Sequence, residues 1–163
     1  DMTTELHILA ARIHSEMSDI AVVVDRAQVA WQRAELGHDE LYLDSVALNL
    51  HGFYSGVERV FELIAARVDE FTPRGSDWHQ ELLRQMSSEV PKIRPPVIST
   101  ETMTQLDQYR AFRHVVRNVY TFVLDPVRIS LLVKDLTNTF GRLEEELGQF
   151  LDFLQGCTRS MGM

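Results

Sequence analysis

Residues 109–129 read YRAFRHVVRNVYTFVLDPVRI, and the way this run folds decides the architecture of the whole chain. Its apolar residues recur at helical rather than alternating spacing as far as Val123. Asp125-Pro126 then gives a restart signal, with an aspartate to cap a helix and a proline at the first helical position, where its missing N–H costs nothing. Wound at about 100° per residue, Arg110, Arg113, His114, Arg117, Asn118, Tyr120 and Thr121 share one arc. Tyr109, Phe112, Val115, Val116, Val119, Phe122 and Val123 fill the opposite one. The spacing predicts an amphipathic helix with a cationic polar face, a break, and a second helix.

The same period extends outward in both directions. A first helix is expected from about Thr4 to Glu35, with Ile8, Ala11, Met17, Val22, Val24 and Trp31 on its apolar face and Leu36-Gly37-His38 ending it. A second runs from about Asp39 to Asp69, burying Leu43, Val46, Leu50, Phe53, Val57, Val60, Phe61, Ile64 and Val68. Thr72-Pro73-Arg74-Gly75 reads as a turn, and Ser76-Asp77 as the cap of a shorter third helix reaching about Met86. Val90 to Ser99 contains Pro91, Pro95 and Pro96 and is expected to be an extended loop. Ser99-Thr100-Glu101 opens the fourth helix, which reaches about Val123. The fifth runs to about Leu154, with fraying expected from Gly156 onward. The fold class is therefore all-α, an up-and-down bundle of about five helices, with one domain over residues 1–155 and a tail over 156–163.

Composition limits what such a bundle does. A chain of 163 residues, 45% hydrophobic, supports one core and not two. A net charge of −8 excludes a general nucleic-acid coat or a binder of anionic membranes, because the long-range field repels both. It leaves room for a local basic pocket. Of the sixteen basic residues only Lys92 and Lys134 are lysine, and arginine suits bidentate pairing with carboxylate or phosphate. Cys157 is the single cysteine, so no intrachain disulfide forms, as fits a reducing cytoplasm. No apolar run approaches the roughly 20 residues that span a bilayer, and the N-terminal stretch lacks the pattern of a signal peptide. The expected location is cytoplasmic, with no membrane contact.

The cationic arc is the feature that calls for chemistry. No Asp or Glu lies between Asp107 and Asp125, so pairing at i,i+4 within the helix is not expected to neutralise these arginines. Like charges held together imply an anionic counterpart: carboxylates of the second helix (Glu58 and Glu62), a partner protein, or a phosphate. In the second helix, Gly52 and Gly56 form a small-xxx-small pair whose helical cost points to close packing. Glu35-x-x-His38 resembles half of a di-iron motif, but it straddles a helix break and has no second copy, so no metal site is expected. His7, His14, His51 and His79 show no metal-ligand spacing, and Trp78 and His79 read as core or capping residues of the third helix. No cofactor is expected.

The run FRHVVRNVYTFVLDPVRI, with HGFYSGVERVFELIA in the second helix, resembles the signature segments of HepT-like proteins of the HEPN superfamily. That signature is an Arg followed by a polar residue, a His about four to six positions on, and a Tyr two further. Laid on this chain, Arg113 is the motif Arg, His114 its polar follower and Tyr120 the motif Tyr, while Asn118 stands where the family has His. The resemblance implies a homodimeric toxin that cleaves RNA without a metal. In this chain Arg113, His114, Asn118 and Tyr120 would be the catalytic set, with Arg110 and Arg117 extending the phosphate- and RNA-binding face. It also implies an MNT-type nucleotidyltransferase antitoxin as partner, transferring AMP to Tyr120. The alternative is a catalytically degenerate HEPN domain, with Asn118 in place of the motif His, that binds RNA or a protein without cutting. A third expectation is a plain bundle whose arginines pair with Glu58, Glu62 and their neighbours.

Overall fold

The structure, a computed structural model, describes residues 1–118 and 124–161, with the side chains of Arg117, Asn118 and Met161 also outside the described set. The element order is α1 (Met2–Gly37), α2 (Glu40–Ile64), a π-helical turn (Ala65–Asp69), α3 (Trp78–Ser87), α4 (Thr100–Asn118) and α5 (Pro126–Met161). Apart from an isolated bridge between Val90 and Arg94, the described residues contain no strand pairing. The fold is an all-α helical bundle, as the periodicity predicts. None of its helices, among the described residues, is long and apolar enough to cross a membrane.

The bundle is organised around α2, which packs on α1, α3, α4 and α5. Of its expected stripe, Val46, Leu50, Phe53, Val57, Val60, Phe61 and Ile64 are buried, while Leu43 and Val68 are only partly so. His38 takes a left-handed conformation at φ 49 and reverses the chain after α1. Asp39 then caps α2, its Oδ1 accepting the Leu41 N–H at 3.0 Å. The helical path continues to Asp69, but its last turn widens to π geometry before Glu70 turns left-handed.

The face that α1 turns inward differs from the expected one. Leu9, Ile13, Ile20, Val24, Ala27, Ala30 and Ala34 are buried, while Ile8 and Val22 stay 55% and 58% exposed. Alanines carry the C-terminal half of this buried face. Gly56 is tightly packed: a Cβ there would lie 2.6 Å from Ile20 Cγ1, whereas one on Gly52 would sit 3.6 Å from Val23 Cγ1. The small-xxx-small pair thus packs against α1 of its own chain.

The start of α3 also departs from expectation. Asp77 occupies the cap position but its side chain makes no capping hydrogen bond. Gly75, at φ 103, makes the preceding turn in a region L-residues avoid. The proline-rich connection is anchored by a buried residue that composition did not flag. Arg94 grips Asp69 through Nε and Nη2, both at 2.6 Å, and donates to the carbonyls of Ser88, Pro95 and Gln85. This ties the end of the α2 path, α3 and the loop into one unit.

Ser99 caps α4 by accepting the Thr102 N–H at 3.1 Å. Tyr109 and Phe112 are buried as expected. The Tyr109 hydroxyl donates to the Leu132 carbonyl at 2.7 Å, and its ring meets Phe53 edge-on at 5.1 Å. The polar arc, however, is rotated from the expected one: Arg113 is 6% exposed and Val115 41%. The expected continuation of this helix to Val123 lies outside the described residues. Asp125 and Pro126 open α5 as expected, with Asp125 Oδ1 accepting the Val127 N–H at 3.0 Å. The helix then runs through Gly156 to Met161, past the point where fraying was expected.

Candidate functional site

Arg113 points from α4 into α2 and meets three residues of that helix. Its Nη2 donates to Glu58 Oε1 at 2.9 Å and Oε2 at 3.1 Å. Its Nη1 reaches Ser55 Oγ at 3.3 Å. The guanidinium lies 5.0 Å from the centre of the Tyr54 ring, a cation–π distance. Tyr54 and Ser55 lie one turn before Glu58 on α2, and α4 packs against that helix.

The third member comes from α3. His79 Nδ1 lies 2.7 Å from Glu58 Oε2 and 2.9 Å from Arg113 Nη2. A carboxylate facing a guanidinium only accepts, and Arg carries no acceptor, so the hydrogen belongs on Nδ1 and is donated to Glu58. The approach of Arg113 Nη2 is then a contact between two donors that share one carboxylate. With Nδ1 protonated, Nε2 is the proton-accepting nitrogen of the neutral ring. The His79 side chain is 26% exposed, whereas those of Arg113 and Glu58 are each 7% exposed. The imidazole therefore forms the rim of the cluster and the ion pair its floor. The Trp78 ring lies 3.7 Å from the His79 ring at 31°, restraining it from a second side.

Electrostatics around the floor follow from burial. The Tyr54 hydroxyl is pushed well above its ordinary pKa by desolvation and, secondarily, by the Glu58 carboxylate. It stays a neutral donor. Burial also raises the Glu62 carboxyl above its usual value, with the charge of Glu58 adding to the effect and His79 and Arg113 opposing it. Two carboxylates, one arginine and one histidine thus form a partly desolvated cluster between α2, α3 and α4.

The other expected site residues fall in different places. Arg110 pairs with Asp107 at 2.6 Å, a contact at i,i+3 that the expectation about i,i+4 pairing did not cover. His114 is exposed. The side chains of Arg117 and Asn118, and Tyr120 altogether, lie outside the described residues. Glu58 was legible as a candidate counter-ion. His79 was not, because it stands 34 positions from Arg113 in sequence and carries no motif spacing. Among the described residues, no group of three or more His, Cys, Asp or Glu is arranged to hold a metal ion.

A family model described as HepT-like protein matches residues 45–154, which contain α2 from its second turn, α3, α4 and most of α5. No curated protein and no solved structure matches the chain. The matched segment spans more than half of the sequence and contains Arg113, Glu58 and His79, so the chain belongs to the family of HepT-like proteins.

Proposed function

We propose that this chain is a toxin-type ribonuclease of the HEPN class, cutting single-stranded RNA without a metal at the surface above the Arg113 cluster. The observation that carries the reading is the cluster itself: the motif arginine of a HepT-like chain, held rigidly beside a histidine whose tautomer is set by a buried carboxylate. Transesterification at a phosphodiester needs a group that exchanges a proton near neutral pH and cationic groups that stabilise the phosphorane charge. Arg113 sets the floor of the site and, because Glu58 already binds it, cannot act as a free bidentate fork without leaving that partner. His114, Asn118, Arg110 and Arg117 are proposed to line the face that meets the phosphate. A homodimer that joins two such faces would double the local positive charge and offset the repulsion of an acidic chain.

The proposed control follows from the same face. Transfer of AMP to Tyr120 by a partner nucleotidyltransferase of MNT type would add a phosphate and a bulky nucleoside beside the cations, closing the site to RNA.

A second reading is favoured by one specific observation. Asn118 stands where the family's signature has histidine, as suits a domain that binds RNA or a protein without cutting; the pairing of Arg113 with Glu58 is the one expected of a plain bundle. Incubating the purified chain with single-stranded RNA in EDTA separates the two. Fragments ending in 2′,3′-cyclic phosphate support the ribonuclease. Bound but intact RNA at every pH tried supports the binding module.

A further inference from the structure

We infer that His79, from outside the signature helix, takes the proton of the ribose 2′-hydroxyl and so fills the role left open by Asn118. This inference rests on the ribonuclease reading and deepens it by naming the base. Three observations converge on it. The Nδ1–H of His79 is committed to Glu58 at 2.7 Å, which leaves Nε2 as the basic nitrogen. The carboxylate that orients the ring is itself locked by Arg113, so the ring, its orienting acid and the motif arginine form one connected unit. The side chain is 26% exposed, enough to be reached from solvent, while the residues that hold it are buried.

This is the arrangement that general-base catalysis requires, with a base held by a third group in one tautomer. Trp78, packed against the core, lies over the imidazole with ring centres 3.7 Å apart. The groups facing His79 are Glu58 and Glu62 from α2, Arg113 from α4 and Trp78 from α3.

The step balances without a further reagent. Nε2 takes the 2′-hydroxyl proton as the O2′–P bond forms. The P–O5′ bond then breaks, and its electron pair stays on O5′. That oxygen takes a proton through water, to which the imidazolium returns its own. The products are a 2′,3′-cyclic phosphate and a 5′-hydroxyl end.

The test is His79→Asn in the full chain. The amide nitrogen of Asn stands close to the position of Nδ1 and keeps the bond to Glu58, but it has no basic nitrogen. Expected are an unchanged melting temperature, cleavage reduced at least about 100-fold, and loss of the acid limb of the wild-type pH–rate profile. A purely structural histidine would leave both rate and profile intact in this variant. If His79→Asn cleaves like the wild type while His114→Ala does not, the base is His114, and the ribonuclease reading survives without this inference. A wild type inert toward RNA at all pH values ends both. If His79→Asn and His79→Gln both fail to fold, His79 is structural and the inference is overturned.

Discussion

Arg113 of α4 and Glu58 of α2 meet 2.9 Å apart across the bundle, each with a side chain only 7% exposed. Breaking such a pair from one side leaves a buried charge without a partner, which costs about 3–5 kcal/mol. Arg113→Met and Glu58→Leu should each destabilise the chain by that order, and the double variant should recover most of the loss. Urea unfolding of the four proteins gives the coupling energy directly. Additive losses would mean that the two side chains do not depend on each other.

A second buried pair should behave in the same way away from the site. Arg94 and Asp69 are joined by two 2.6 Å bonds, with side chains 0% and 3% exposed. Arg94→Met should cost about 3–5 kcal/mol and free the proline-rich connection. Arg59→Ala, which removes a solvent-exposed pair with Glu16, should cost about 1 kcal/mol or less. Equal effects in thermal melts would contradict the burial of Arg94.

The two glycines of α2 should separate cleanly. Gly56→Ala places a methyl 2.6 Å from Ile20 Cγ1, and overpacking of this kind costs roughly 1–3 kcal/mol. Shortening the neighbour in the double variant Gly56→Ala/Ile20→Ala should return part of that loss. Gly52→Ala has ordinary contact distance to Val23 and should gain up to about 1 kcal/mol of helix propensity. Melting temperatures falling for one and rising for the other are the expected pattern.

Glu62 supplies a pH signature. Its folded carboxyl is raised, chiefly by burial and then by Glu58. The folded state therefore binds this proton more tightly than the unfolded state does. The associated stability is full below the unfolded value and is lost as pH rises through the folded one. Ionised Glu62 is thus a liability at neutral pH. Glu62→Gln should raise the melting temperature at pH 7 and above, and the gain should vanish on acidification. A gain confined to acid pH would reverse the assignment.

Much of this was legible from residue order. The buried stripe of α2 and the Asp125-Pro126 restart follow from local rules that tertiary contacts did not override. The faces of α1 and α4 were less legible, for distinct reasons. In α1 the seam with α2 is filled by Ala27, Ala30 and Ala34, which carry little hydrophobic signal, while Ile8 and Val22 remain outside. In α4 a charged residue is buried because a carboxylate 55 positions away neutralises it, and no period reports such a partner. Asp107 neutralises Arg110 at i,i+3, from just outside the acid-free stretch that follows it. His79 was invisible for the same reason as the burial of Arg113: its meaning lies in Glu58, which α2 brings to it from elsewhere in the chain.

In the proposed reaction, RNA is handled at an imidazole held by Glu58 beside Arg113. The most direct test is a nitrogen-15 NMR titration of the His79 ring with a 2′-O-methyl RNA oligomer, which binds but cannot be cut. The account predicts a neutral ring protonated at Nδ1, whose Nε2 signal moves on saturation with RNA while Nδ1 stays hydrogen-bonded. A ring protonated only at Nε2, or His79 signals that do not move with RNA, would contradict it.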